Sequence, residues 1–263
     1  MKKNLPIKAV DECLLYYEVS GKGLPILFVH PPVLTSLAFT HQVDELSKEF
    51  MTITFDIRGH GQSESSQKPV TYPLIVHDMR ELLDELHIDK VFLCGYSTGG
   101  SVVLEFLLTY PERVLGSILI GVMSEVHDFR LKMRICLAAA CARWGALTPL
   151  ALYVTWSNAN NQRLFRKSFQ DAKRGTSKNV VEYYRSSLSY NCTAQLSKIK
   201  SPALLVYGAK DKGFYSYAQL AHKYLPVNQL VLVQGVKHQV PTKAANELNH
   251  LISEFIHSQE RRL

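Results

Sequence analysis

The pentapeptide Gly95-Tyr96-Ser97-Thr98-Gly99 sets one serine between two glycines, directly behind the apolar run Val91-Phe92-Leu93-Cys94. Residues 101–108, which follow, have the apolar density of a helix packed on a sheet. A strand that turns into a helix within about three residues holds the serine in a strained conformation. Glycines two before and two after it remove the Cβ atoms that such a turn would bring into collision. The hydroxyl then projects from the sheet edge with a helix N-terminus beneath it, the geometry of a nucleophile elbow. A serine hydroxyl is a weak nucleophile, so it needs a base within hydrogen-bond reach and a third group to orient that base.

Ten histidines compete for the role of base. His238, in Gly235-Val236-Lys237-His238-Gln239, lies just past the last strand-like run and just before the last helical one. Its loop opens at the C-terminal edge of the sheet, on the same side as Ser97. His30 ends a strand and is expected to make a structural hydrogen bond to a loop carbonyl, and His60 sits in a glycine-rich loop. His41, His77, His87, His222, His250 and His257 fall on helices or their ends, where solvation is expected. His127 opens a helical stretch and is placed to face a cavity beneath it. For the orienting carboxylate, Asp211 in Gly208-Ala209-Lys210-Asp211 follows the apolar run 204–207 at the same edge. Glu125 is the second candidate.

Positioning these groups requires a layered α/β fold with a mostly parallel sheet. Apolar strand-like runs alternate with amphipathic helical segments along most of the chain. Residues 7–10 and 14–19, joined by Asp11-Glu12, read as an opening hairpin. Strands are expected at 26–29, 51–57, 91–96, 115–122, 203–207 and 230–233, and helices at 36–49, 73–86 and 241–257. The alternation stops between 124 and 192, where the sequence is helical in character with a break at Gly145 and Thr148-Pro149. A helical block inserted between strands reads as a lid over a site at the strand ends.

With Ser97, Asp211 and His238 in that chain order, the sequence resembles the α/β-hydrolase superfamily over almost its full length. The run Asp56-Ile57-Arg58-Gly59-His60-Gly61-Gln62-Ser63 is similar to the loop after strand four in the same proteins. The resemblance implies an eight-stranded, mostly parallel sheet flanked by helices, a core of residues 1–123 and 193–263, and a helical cap of residues 124–192 inserted after strand six. It implies Ser97 as nucleophile, His238 as general base and then acid, and Asp211 as orienter. The backbone N–H of Thr98 would be one oxyanion donor. Relatives carry His-Gly-X after strand three, where X gives the second amide; here the run is His30-Pro31-Pro32-Val33, and proline has no N–H. Val33 is the expected donor through a shifted loop. The Thr35 or Ser36 side chain, or a weakened hydrolytic site, are the other readings. Pro32, Tyr96, His127, Trp144 and Trp156 are expected around the substrate.

The implied activity is hydrolysis of small carboxylic esters or lactones. Carbon–carbon bond hydrolysis, lyase chemistry on the same triad, and a receptor or signalling role with little turnover are the alternatives. Five cysteines match no zinc or disulfide spacing and read as reduced thiols. No metal-ligand motif or dinucleotide fingerprint appears, so no metal or cofactor is expected. The net charge is +7, and residues 124–192 carry all of the excess, with eleven Lys/Arg against four Asp/Glu. That excess either selects an anionic substrate or lies on solvated helix faces. No nucleic-acid module or membrane span accompanies it, so the expected setting is cytoplasmic, without nucleic-acid or membrane partners, as a monomer or homodimer. The aromatic residues of the same segment either wall an acyl or aryl pocket or hold its helices together.

Overall fold

The computed structural model describes residues 13–261 and the backbone of residues 3–4 and 7–8. Four short strands open the chain: β1 (Lys3–Asn4), β2 (Ile7–Lys8), β3 (Leu14–Leu15) and β4 (Tyr17–Ser20). β2 and β3 pair antiparallel as the expected hairpin, while β4 departs to join the main sheet. The turn expected at Asp11-Glu12 lies outside the described residues.

Six longer strands follow: β5 (Pro25–Val29), β6 (Met51–Phe55), β7 (Val91–Tyr96), β8 (Val114–Ile120), β9 (Ala203–Gly208) and β10 (Asn228–Val233). The eight-stranded sheet runs β1-β4-β6-β5-β7-β8-β9-β10. β4 is antiparallel to both of its neighbours, β1 and β6, and the six strands β5 to β10 are mutually parallel. Central parallel strands are covered on both faces and read as unbroken apolar runs, as Ile26 to Val29 do.

The helices are α1 (Thr40–Leu46), α2 (Tyr72–Glu85), α3 (Thr98–Thr109), α4 (Phe129–Arg143), α5 (Leu147–Asn158), α6 (Gln162–Ala172), α7 (Ser177–Ser189), α8 (Tyr215–Tyr224), α9 (Val240–Lys243) and α10 (Ala245–Glu260). Side chains alternate across the pleat, so Leu27, Val29 and Leu93 join one core with residues of α2, α3 and α8. Ile26, Phe28 and Phe92 face the opposite core, which α1 and α10 close.

Two helices differ from expectation in form. The stretch expected as one helix over 36–49 starts as a 3-10 turn, Ser36–Phe39, capped by the Thr35 side chain, before α1. The closing helix bends at Ala244 (φ −136°, ψ 42°) into α9 and α10. Buried Gln42 of α1 spans that bend, its amide donating to Pro241 O and Asn249 Oδ1. Between β8 and β9 the chain is helical, as α4 to α7. Just past α4 and its cap Trp144, Gly145 takes φ 81° as a helix-terminating residue, and Pro149 lies in the first turn of α5, where a missing N–H breaks no helical bond. All five cysteines are free thiols. Among the described residues no helix is long and apolar enough to cross a membrane.

Candidate active site

Ser97 stands between β7 and α3 with φ 55° and ψ −123°, in the left-handed half of backbone space that a non-glycine residue seldom adopts. The turn is held from both sides: Ser97 N–H donates to Ile120 O at 2.7 Å, and Gly100 N–H donates to Ser97 O at 2.9 Å. A Cβ on Gly99 would lie 2.1 Å from the carbonyl oxygen of Val29. The glycine is what allows α3 to start flush against β5.

Ser97 follows β7, Asp211 follows β9 and His238 follows β10, so three parallel strands deliver the three side chains to one edge of the sheet. Ser97 Oγ is 3.0 Å from His238 Nε2, and His238 Nδ1 is 2.8 Å from Asp211 Oδ2. The carboxylate can only accept, so Nδ1 carries the proton and donates it to Asp211. Nε2 is then free to accept from the Ser97 hydroxyl. In this arrangement the imidazole can take the hydroxyl proton as the oxygen attacks a carbonyl carbon, and the adjacent carboxylate stabilises the resulting imidazolium.

The imidazole ring is confined by neighbours on separate elements. Phe214 packs against it with ring centroids 4.2 Å apart, and Tyr96 at 5.4 Å. Gly121, just past β8, has φ 56°, and a Cβ there would lie 2.8 Å from His238 Cε1. Gly121→Ala therefore combines backbone strain with a displaced imidazole. It is expected to lower turnover by about 100-fold, because a 1 Å misplacement at the reacting groups costs about that much. Steady-state kinetics, with a circular-dichroism check that the sheet survives, measure it.

The loop after β5 forms another wall. His30 Nδ1–H donates to Pro31 O at 3.0 Å, the loop-carbonyl bond expected of it, and Nε2 accepts from Ile57 N–H at 2.9 Å. Burial pushes its pKa down to about 4, only partly opposed by the Pro31 carbonyl, so the ring is neutral. The His30 carbonyl in turn accepts from the Tyr183 hydroxyl at 3.0 Å. His60 packs against His30 with ring centroids 5.5 Å apart, and burial first, then its neighbour His30, lower its pKa to about 3. Two neutral imidazoles thus pin the loop without adding charge beside Ser97. Val33 sits at φ 72°, a strained value for a β-branched residue.

A cavity of about 210 Å³ opens over Ser97. Pro31, Pro32 and Leu34 come from the loop after β5; Leu131, Ile135 and Ala138 come from α4; and Leu150 and Val154 come from α5. Among the described residues Arg134 is the one Lys, Arg, Asp or Glu side chain at its wall. Among the described residues no group of three or more His, Cys, Asp or Glu is placed to hold a metal ion.

Residues 25–241 match the family model described as the alpha/beta hydrolase fold. The chain belongs to the alpha/beta hydrolase family. It is 31% identical over 268 residues to AB hydrolase superfamily protein YisY of Bacillus subtilis, covering 96% of this chain and 98% of that one. It is 26% identical over 258 residues to the human serine hydrolase BPHL, covering 94% and 84%. The solved esterase EaEST from Exiguobacterium antarcticum shares the fold with a TM-score of 0.87 at 19% identity, over 97% of this chain and 100% of that one. The family and these relatives make the chain an enzyme of the hydrolase class.

Of the residues the sequence singled out in this hydrolase, the structure brings Ser97, His238, Asp211, Thr98, Pro32 and Tyr96 to one place. The Tyr96 hydroxyl donates to Asn158 Oδ1 at 2.9 Å, which ties the residue before the serine to α5. The Val33 side chain does not line the cavity; it is buried in the apolar cluster that α4 to α7 share. Three residues expected around the substrate lie elsewhere. His127 is paired with Ser216 Oγ at 3.1 Å and with Glu125 at 3.6 Å, and packs at a tilt against Tyr217, so its ring is spent on tying the β8–α4 connection to α8. Trp144 caps the far end of α4, beyond the part of the helix that reaches the cavity, and is 81% exposed. Trp156 is on α5 but on the opposite face from Val154 and Asn158, and packs edge-on against Phe165. Glu125, the second carboxylate candidate, is bound by the Asn191 amide at 2.6 Å, away from His238. Of the aromatic residues of 124–192 offered as pocket walls, Tyr153 and Tyr184 line the cavity, while Phe214 and Met123 reach it without having been singled out. For Phe214 the signal was available, because it follows Asp211 by three residues in the same short loop.

Proposed function

We propose that this hydrolase cleaves small carboxylic esters or lactones by acyl transfer through Ser97. Ser97 Oγ attacks the carbonyl carbon while its proton passes to His238 Nε2. The tetrahedral intermediate collapses, the carbon–oxygen bond to the leaving group breaks, and the His238 proton goes to the departing oxygen. Water then attacks the acyl-enzyme with His238 again as base, releasing the acid and restoring the serine hydroxyl. The oxyanion is received by the backbone N–H of Thr98, at the head of α3, and by that of Val33. Val33 offers the first N–H after two prolines, at a positive φ between Pro32 and Leu34, both of which line the cavity over Ser97. Residues 124–192 act as a cap on a core made of 1–123 and 193–263.

The observation that carries the reading is the unbroken hydrogen-bond chain from Ser97 through His238 to Asp211 at the base of a largely apolar cavity. The dimensions of that cavity favour short acyl chains or small rings. Incubation with a fluorophosphonate probe should label Ser97, and p-nitrophenyl acetate, p-nitrophenyl butyrate and a γ-lactone should be turned over while a β-diketone is not. Folded wild-type protein that neither reacts with the probe nor cleaves any of the esters and lactones would overturn it.

A further inference from the structure

Among the described residues, most of the large apolar side chains that are exposed lie on two neighbouring helices. On α4, Phe129, Met133, Leu137 and Trp144 follow one another at helical spacing, and within about 100° per residue they occupy about a quarter of the circumference. Phe129 is 73% exposed and Leu137 65%. α5, packed alongside, adds Leu152, Tyr153 and Trp156, all exposed. Burial elsewhere on α4, at Ile135, Ala139 and Ala142, shows that the helix already spends a separate apolar face on the protein interior. The outward stripe is therefore surplus to folding.

Its borders are basic. Arg130 and Arg134 run along one side of the stripe, and Lys132 and Arg143 along the other, and none of the four is engaged in an ion pair with a described residue. Neither α4 nor α5 contains an aspartate or glutamate. The nearest acid along the chain, Asp128, is occupied as the N-cap of α4, accepting from Leu131 N–H at 2.8 Å. An apolar stripe with tryptophan and phenylalanine, bordered by long cationic side chains that can reach outward, suits contact with a lipid headgroup layer even though the helix as a whole is apolar on its inner side too. Pairing with a second copy through the same face would set these cations against their own equivalents.

We propose that the outer face of α4 and α5 docks on an anionic lipid surface. That face adjoins the cavity wall, because Arg134 and Tyr153 are exposed and also line the cavity. Four of the eleven cations of residues 124–192, Arg130, Lys132, Arg134 and Arg143, thereby acquire a counter-surface. Docking rests on the stripe and its charges alone and is independent of the acyl-transfer chemistry.

The protein has two tryptophans, Trp144 and Trp156, both on this face, so intrinsic fluorescence reads the contact without a label. Titration with vesicles of equal parts phosphatidylglycerol and phosphatidylcholine should shift tryptophan emission to the blue and carry the protein into the vesicle pellet. Binding to pure phosphatidylcholine should be at least about tenfold weaker, since each Lys or Arg near an anionic surface is worth a sizeable part of a tenfold factor. The surface variant F129S/M133S/L137S should lose pelleting while keeping its circular dichroism, and R130E/K132E/R143E should lose the preference for the anionic vesicles. Ser97→Ala should bind as the wild type does, which separates this outcome from that of the catalytic reading. Three results overturn docking: no pelleting with anionic vesicles, equal binding to both compositions, or a blue shift that grows with protein concentration in the absence of lipid. The last would assign the face to self-association.

Discussion

Replacement of Ser97 by alanine should abolish hydrolysis of any ester the wild type cleaves, a loss of about a millionfold in kcat, while leaving the fold unchanged. The hydroxyl has one partner, His238 Nε2 at 3.0 Å, and the backbone bonds that hold the elbow do not involve the side chain. Alanine inherits the same positive φ, so the strain of the turn is present in both proteins and cancels in the comparison. What disappears is the atom that forms the covalent bond. The remaining groups can still bind and polarise a substrate, which is why a small residual rate over water is expected and not zero. Active-site titration with a fluorophosphonate, beside steady-state turnover of a p-nitrophenyl ester, measures the loss. An unchanged rate in the folded variant would place the chemistry at another residue.

Asp78→Asn should cost about 3 kcal/mol or more of folding stability, a large share of what a domain possesses. Asp78 on α2 receives both Nε and Nη2 of Arg58, at 2.5 and 2.6 Å, and both side chains are fully buried. A carboxylate presents two acceptors to the two parallel N–H donors of the guanidinium. The amide keeps one acceptor and turns the other position into a donor that faces a donor, with the charge compensation gone. Because burying the pair is itself costly, the double replacement Arg58→Met with Asp78→Leu should be less damaging than Asp78→Asn alone. Urea unfolding of the three proteins measures both differences. Arg58 adjoins Ile57, whose N–H holds His30, so the loss should loosen the loop after β5 as well.

Much of the fold was legible because the signals were local. The run from Ile26 to Val29 can only be a strand covered on both faces, and the glycines around Ser97 can only serve a sharp turn. Pro149 and Gly145 announced the break between α4 and α5, since each acts through its own backbone. The bend at Ala244 was not legible, because no residue there forbids a helix. It coincides with the buried bonds of Gln42, whose helix is some 200 residues away in the chain.

The candidate site divides along the same line. Sequence alone determined that Ser97, Asp211 and His238 share an edge, because strands that run parallel open all of their following loops on one side. It also determined that the loop after β5 lacks two N–H groups, which proline removes wherever it stands. The tertiary structure decided which side chains face the cavity. α4 carries apolar residues around most of its circumference, so its periodicity could not say which face turns inward. Packing against α5 and α7 selected Ile135 and Ala138 for the cavity side and left Phe129, Leu137 and Trp144 in solvent. A helix's rotation about its own axis is set by the elements it packs against, and that is where the expectation for Trp144 and Trp156 parted from the structure.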